Sequence, residues 1–412
     1  ARGRRRRRGR ARREALAACL SLQLMGFDSL ISRIGDEQTG TWERNVLAGA
    51  GAANTCRAVT EVVDKIAEAV CDAAVRTGAH APPQARAVVC LGWACVLHLI
   101  EQLPEPLAGP LPSLEKCVEA ATRGRALEWV TSAFSAGGAL SIGAAGVGAG
   151  AHEHCMSEDA RWMMRSVLSA HLASFVIPAP IGALLQPWSE ISRTTAALAA
   201  VLDGAVEISE DIMVDNNSAP INQPINALLQ QALRPFPEDP RPICTLLRSM
   251  CASERCAMDV VLYLDRAPTL ALRHYVSDGT ITVSAAGGTA TLLETVDAQL
   301  APGMVMRLEA QSQGTLLGVP DSNSGGSAIV AWNYPQRGIA VLLARLAGVI
   351  AAIVEARRGG HTPPGDTVES ALVMVDLLER AAGHNMVVAG QLVDCANACN
   401  VPFAAMIASL VA

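Results

Sequence analysis

The stretch that decides the fold is HYVSDGTITV, residues His274–Val283, where the chain changes from a helical to a strand-like pattern. His274–Val276 and Thr280–Val283 consist mostly of aromatic and β-branched residues, which favour strands. The tripeptide SDG between them, residues 277–279, is typical of a tight turn. This pattern predicts a β-hairpin with a glycine turn.

Further strand signals follow the predicted hairpin. Met304–Glu309 and Thr315–Val319 are predicted to be short strands, and Ser322–Ser327 is predicted to be a polar turn. We therefore predict a small β-rich insertion at about 268–333.

The sequence on both sides of this insertion is helical in pattern. Residues 14–34, EALAACLSLQLMGFDSLISRI, place apolar side chains at the 3.6-residue period of a helix. Half of the 412 residues are hydrophobic and only 3% are aromatic, so the core must consist of Ala, Val, Leu, Ile and Met. Alanine and leucine favour close-packed helices. The predicted fold class is mainly α: one large helical domain, 14–412, that contains the β-rich insertion. Further helices are predicted at 42–77, 84–102, 113–135, 157–177, 181–203, 243–265, 337–357, 366–382 and 385–411.

The first 13 residues form an arginine-rich arm, whereas lysine occurs only at Lys65 and Lys116. Without the arm, the chain holds 24 basic and 39 acidic residues, a net charge of −15. So dense a positive charge cannot be buried, and we predict that the arm is disordered and binds RNA or a nuclear import receptor. Its arginines are Arg2, Arg4, Arg5, Arg6, Arg7, Arg8, Arg10, Arg12 and Arg13.

The compartment can be inferred from the cysteines and the apolar stretches. Twelve cysteines are scattered, mostly beside Ala, Val or Leu, which favours free thiols in a reducing compartment. We find no secretory signal and predict no membrane insertion, because the apolar stretch Ile339–Val354 is interrupted by Arg345. The chain begins at Ala1 without Met, and we interpret it as part of a longer protein.

The signals for metal binding or catalysis are incomplete. His152, His154 and Cys155 are the metal-ligating candidates, but no Cys-x2-Cys pair accompanies them. The glycine-rich stretch Gly143–Gly150 lacks the Lys-Ser/Thr of a phosphate-binding loop, and Ser141 lacks the first glycine of a Gly-x-Ser-x-Gly motif. We therefore predict no metal site and no cofactor, and a protein that is not an enzyme.

An apolar stripe occurs at Leu168, Leu172, Phe175 and Ile177, just before Pro178. This spacing fits a nuclear export signal, whose side chains bind in the groove of a receptor. The same spacing is common in the core-facing side of a helix. Both interpretations remain open.

The arginine tract, the Ala/Leu-rich helical region and the sequence LSAHLASFV, Leu168–Val176, together resemble a known family. It is the alphaherpesvirus major tegument phosphoprotein that shuttles between nucleus and cytoplasm. The resemblance covers all 412 residues, as the carboxy-terminal part of a longer protein. The lysine-poor composition is most similar to the bovine herpesvirus member.

This resemblance implies a structural protein of the virion tegument, present in the host nucleus and cytoplasm. It implies RNA binding or import through the arginines of the arm, and export through Leu168, Leu172, Phe175 and Ile177. Its implied partners are RNA, nuclear import and export receptors, and other tegument or capsid proteins. An alternative is a capsid subunit of a double-stranded RNA virus with a basic internal arm. A third is a metal- or thiol-dependent enzyme.

Overall fold

The structure is a computed structural model, and the chain divides into two compact units, Ala1–Ile177 and Pro178–Ala412. The described residues are 126–134, 165, 168–169, 172–173, 188–214, 223–267, 269–275, 278–284, 288–301, 304–318, 327–333 and 337–398. The predicted arm at 1–13 and the predicted helices at 14–34, 42–77 and 84–102 lie outside these residues.

The described part of the first unit is helical. Helix α1, Ala126–Phe134, buries Leu127, Val130 and Phe134 on one face, as its apolar spacing requires. The guanidinium carbon of Arg165 lies 4.9 Å from the centre of the Phe134 ring, which is a cation–π contact. The described residues between 165 and 173 also have helical backbone.

In the described part of the second unit, helices precede and follow a run of strands. The helices before the strands are α2 (Trp188–Leu202), α3 (Val206–Val214), α4 (Gln223–Leu233), α5 (Arg241–Met250) and α6 (Glu254–Asp265). The strands are β1 (Thr269–Tyr275), β2 (Ile281–Ser284), β3 (Thr289–Leu292), β4 (Val296–Ala301), β5 (Met304–Leu308), β6 (Gln313–Gly318) and β7 (Ser327–Asn333). The helices after them are α7 (Gly338–Arg358), α8 (Gly365–His384) and α9 (Met386–Ala398).

The helices pack around α5, α7 and α8. Helix α5 contacts both α2 and α8, while α7 contacts α6, α8, α9 and strand β4. The α5 residues Ile243, Leu246, Leu247 and Met250 are buried at helical spacing, so this short helix is a core element.

Helix α7 is a long apolar helix in the described part of the second unit. By length and composition alone it could cross a membrane, but its residues Gly338–Ala344 are all buried within the fold. Arg345 interrupts the apolar sequence and donates from Nη2 to the backbone carbonyl of Glu238 at 3.2 Å. The first half of α7 is therefore a core helix, while most of its last turns are exposed or half-buried.

Five strands form one antiparallel sheet in the order β1-β7-β6-β3-β2, and β4 pairs with β5 in a separate ribbon. In the β1–β7 pair, Leu270 lies opposite Trp332 and Leu272 lies opposite Val330. These four side chains are buried. On β7 they alternate with more exposed ones, as the two-residue period of a strand requires.

The prediction of a mainly α fold is wrong. The described residues hold seven strands beside nine helices, and five of the strands form a curled antiparallel sheet. The prediction depended on alanine as a helix former, yet Ala271, Ala290 and Ala328 are fully buried in strands. Burial in a sheet overrode the small intrinsic preference of alanine for helix.

The predicted hairpin at His274–Val283 is also wrong. Strands β1 and β2 do form and include the two ends of this stretch, but they lie at opposite edges of the sheet. Strand β1 pairs with β7, the last strand of the run, and β2 pairs with β3. A turn signal was therefore present without the local pairing that it usually predicts.

Several helix predictions are confirmed, with changed boundaries. Helices occur at the predicted 181–203, 337–357 and 366–382 segments. The segment predicted as one helix at 243–265 is two helices, α5 and α6, because Ser253 begins a new helix. The Ser253 hydroxyl accepts a hydrogen bond from the Cys256 backbone N–H at 3.2 Å, which is an N-cap.

Candidate functional site

The described part of the predicted export stripe is buried. Leu168 is 6% exposed and Leu172 is 0% exposed, while Phe175 and Ile177 lie outside the described residues. An export receptor needs these side chains in its own groove, so they would have to leave the core to bind. Their burial matches the alternative interpretation, in which the stripe is helix core.

The metal-ligating candidates His152, His154 and Cys155 lie outside the described residues. Within the described ranges, no three histidine, cysteine, aspartate or glutamate side chains lie close enough together to hold a metal ion.

The described cysteines Cys244, Cys251, Cys256 and Cys395 are free and buried. Burial raises the pKa of the Cys251 thiol to about 12, because a thiolate is poorly solvated inside the core. Burial also raises the pKa of Cys244. These two thiols are therefore protonated at neutral pH, and a protonated thiol is a poor nucleophile and a poor metal ligand.

Most arginines in the described part of the second unit are engaged within the fold. Of the thirteen arginines there, at least seven make salt bridges to aspartate or glutamate. They are Arg241, Arg248, Arg255, Arg273, Arg307, Arg337 and Arg380. The guanidinium group of Arg241 is largely buried by its partners, whereas those of Arg255, Arg307 and Arg337 are exposed and their pairs are weak.

Arg241 forms salt bridges with three carboxylates of the folded body. Its Nε donates to Asp239 Oδ1 at 2.9 Å and its Nη2 donates to Asp239 Oδ2 at 2.9 Å, which is a bidentate pair. Its Nη1 reaches Asp366 at 3.2 Å and Glu369 at 3.3 Å on α8. The hydrogen bond to Asp239 is the main cause that raises the pKa of Arg241. One arginine thus joins the start of α5 to the start of α8.

A second connection joins α8 to the end of α2. Arg380 pairs with Asp203, which directly follows α2, and its Nη2 donates to Asp203 Oδ2 at 3.4 Å. On the same helix, Asp376 lies 3.5 Å from Arg248 of α5. Helix α8 is therefore held to α2 and α5 by charge pairs as well as by its buried residues Met374, Leu377 and Leu378.

Two arginines at the end of α7 are not among the seven paired residues. Arg357 and Arg358 are exposed in its last turn, where positive charge interacts favourably with the helix dipole. They stand next to each other on the surface of the second unit. These two arginines form a small basic site on the folded body, and its contribution to RNA binding can be compared with that of the arm.

One buried polar pair in the sheet was not predicted from the sequence. The indole Nε1–H of Trp332 donates to His274 Nε2 at 2.9 Å, with the two rings edge to face and their centres 5.5 Å apart. Both residues were visible in the sequence, but they are 58 positions apart. The pairing of β1 with β7 places both on the same face of the sheet, with Trp332 opposite Leu270 and His274 opposite Ala328.

No protein family matches this chain, and no curated protein matches it. Its function is therefore proposed from its own charges, contacts and burial together with the sequence resemblance.

Proposed function

We propose that this protein is a non-enzymatic structural protein of the virion tegument, with a folded body that makes protein contacts and a basic arm that binds RNA. The observation that carries the proposal is the separation of charge along the chain. Nine arginines occupy the first 13 residues, and the other residues carry a net charge of −15. Such an arm attracts a polyanion, and an acidic body repels one.

The salt bridges of the second unit support this division of roles. At least seven of its described arginines have a carboxylate partner, so less of their positive charge is available to a phosphate. The arm contains no acidic residue. Its arginines have no carboxylate partner within the arm, which favours contacts with RNA phosphates and bases.

The same arm fits nuclear import, and the resemblance of the sequence to the shuttling tegument phosphoprotein adds the expectation of export. In the described structure Leu168 and Leu172 are buried. Export through them therefore requires that this part of the first unit open before the receptor binds.

A capsid subunit of a double-stranded RNA virus would carry a similar basic arm. The two proposals differ in assembly: a capsid subunit forms closed shells, whereas a tegument protein stays a monomer or a small oligomer. Light scattering combined with electron microscopy of the purified chain separates them. Closed particles would reject the tegument proposal.

The experiment that tests RNA binding is the salt dependence of affinity for a single-stranded RNA of mixed sequence. Each phosphate contact contributes roughly 0.7 to the slope of log affinity against log salt. Replacement of Arg4–Arg8 by alanine should lower the slope by as much as roughly 3.5, since five contacts are removed. RNA of a different sequence should bind with similar affinity, because phosphates carry no sequence information.

The matched control is Arg357→Ala with Arg358→Ala, which removes two exposed positive charges from the folded body. We expect this control to leave the slope nearly unchanged. If the control lowers the slope as much per arginine as the arm variant does, RNA binding is spread over the body. If the arm variant binds RNA with unchanged affinity and slope, the proposed role of the arm is wrong.

A further inference from the structure

The pair formed by His274 and Trp332 lies buried in the sheet, between edge strand β1 and its neighbour β7. His274 is 7% exposed and Trp332 is 1% exposed. On the other side of β7, strand β6 has a glycine beside the indole. A Cβ on Gly314 would lie 2.8 Å from Trp332 Cε3, so a larger residue there would clash with the ring. The indole is therefore held in place on one side by backbone and on the other by the imidazole.

The direction of the hydrogen bond determines the protonation state of the histidine. The indole Nε1 of tryptophan is only a donor, so Nε2 of His274, at 2.9 Å, must offer a lone pair. The imidazole is therefore neutral, with its proton on Nδ1. A proton added at Nε2 would place two N–H donors against each other, and the hydrogen bond would be lost.

The strands around this pair offer nothing to balance a positive charge. Strands β3, β6 and β7 contain no ionisable side chain, and the residue opposite His274 in the register is Ala328. On β1 itself, the neighbouring Arg273 points to the opposite face, as alternate residues of a strand do, and pairs with Glu238 at 2.8 Å.

Outside these strands, charged residues also occur in the described segments connected to β1. Arg345 of α7 donates to the Glu238 carbonyl, and Asp278 follows β1 in the chain. Burial is the cause that lowers the pKa of His274, since an imidazolium would be poorly solvated there.

We propose that the His274–Trp332 pair is an acid-sensitive latch, which holds edge strand β1 on β7 while the imidazole is neutral and releases it when His274 is protonated. The latch acts on an edge that has one neighbouring strand. Beyond β7, the contacts of edge strand β1 among the described residues include one backbone hydrogen bond, from Ala271 N–H to the Phe236 carbonyl at 2.7 Å, and the salt bridge from Arg273 to Glu238. This inference does not depend on RNA binding by the arm.

The pH range follows from the direction of the shift. An unfolded histidine has a pKa of about 6.5, and the folded His274 has a lower pKa. The unfolded or opened state therefore binds the proton more readily than the closed state. The stability of the closed sheet is complete above about pH 6.5 and falls as the pH drops toward the folded pKa.

Hydrogen exchange of the whole chain, measured at about pH 7.5 and about pH 5, tests the latch. The exchange times are adjusted for the different intrinsic rates of amide exchange at the two pH values. We expect peptides from β1 and β7 to lose protection at the lower pH, while peptides from α5 keep theirs. In His274→Gln, the side-chain carbonyl can accept from Trp332 and does not titrate, so the loss should disappear. The matched control is His361→Gln, an exposed histidine after α7, which should behave like the wild type.

Three results would overturn the proposal. They are equal protection of β1 and β7 at both pH values, the same acid loss in His274→Gln as in the wild type, and a loss that includes α5 equally. A second measurement does not require the glutamine variant to fold. The indole N–H resonance of Trp332, identified by its absence in Trp332→Phe, should move as the pH falls from about 7.5 to about 5, and a fixed resonance would also reject the latch.

Discussion

The side-chain amide of Asn385 donates from Nδ2 to the backbone carbonyl of Glu254 at 3.0 Å. The same side chain accepts from the backbone N–H groups of Val387 at 2.8 Å and Val388 at 3.2 Å. Asn385 therefore caps the start of α9 and ties it to the start of α6. Because it is only 6% exposed, water cannot readily replace these partners.

Replacement of Asn385 by alanine should destabilise the second unit. The change removes an N-cap and leaves the backbone N–H of the buried Val388 without its acceptor, so we expect a loss of about 1–3 kcal/mol in the free energy of unfolding. Urea unfolding followed by circular dichroism measures it. The matched control is Asn397→Ala on the exposed side of α9, which should change little. Equal effects of the two changes would contradict the capping role.

Gly314 should be intolerant of even a methyl group. A Cβ there would lie 2.5 Å from Val330 Cγ1 and 2.9 Å from the Ala331 carbonyl oxygen, in addition to its contact with Trp332. We expect Gly314→Ala to cost about 1–3 kcal/mol, because the sheet would have to shift.

Replacement of a second glycine by alanine should instead stabilise the protein. Gly390 lies within α9, and nothing lies within 4 Å of the position that an added methyl group would occupy. Gly390→Ala should therefore stabilise the protein by about 0.5–1 kcal/mol. Thermal melting of both glycine variants checks the contrast. If Gly314→Ala melts at or above the wild-type temperature, the close packing of β6 on β7 is wrong.

Arg241 should not be replaceable by lysine. Lysine keeps the charge but cannot form the bidentate pair with Asp239 while also reaching Glu369. We expect Arg241→Lys to lower the free energy of unfolding by about 1–2 kcal/mol, since the side chain is largely buried. The control is Arg255→Lys, whose exposed guanidinium group lies 3.9 Å from Asp259, so this pair should contribute less than about 0.5 kcal/mol. An Arg241→Lys protein as stable as the control would contradict the role of the bidentate pair.

Leu172 should behave as a core residue in the folded chain. It is fully buried, so Leu172→Ala should cost about 2–5 kcal/mol. The exposed Leu372 of α8 is the control, and its replacement by alanine should change stability by less than about 0.5 kcal/mol. Melting and cellular localisation should be measured on the same variants, including Leu172→Ala with Phe175→Ala. A folded double variant that accumulates in the nucleus would support export and contradict the core prediction.

The sequence was most informative where the signal is local. The apolar period of 337–357 and 366–382 predicted helices that are present as α7 and α8, with boundaries changed by one or two residues. Strand signals at Met304–Glu309 and Thr315–Val319 likewise correspond to β5 and β6. A helix or strand face is visible in a short window, because its side chains repeat at a fixed spacing.

The candidate sites could be predicted from the sequence only in part. The density of arginine in residues 1–13 is a property of composition and needs no fold to be recognised. In contrast, the stripe at Leu168 and Leu172 has the same spacing whether it faces a receptor or a core, so its burial could not be predicted from the spacing. The pairing of His274 with Trp332 gave no local signal.

The sequence by itself therefore determined the segregation of charge and the position of many helices and strands, because these depend on composition and short-range period. The tertiary structure decided that β1 pairs with β7 rather than with β2, and that Ala271, Ala290 and Ala328 lie in strands. It also decided that Asn385 reaches Glu254 and that Trp332 reaches His274. These two side-chain contacts join residues 131 and 58 positions apart in the chain, and their free energy comes from burial and satisfied hydrogen bonds that exist only once the elements have packed.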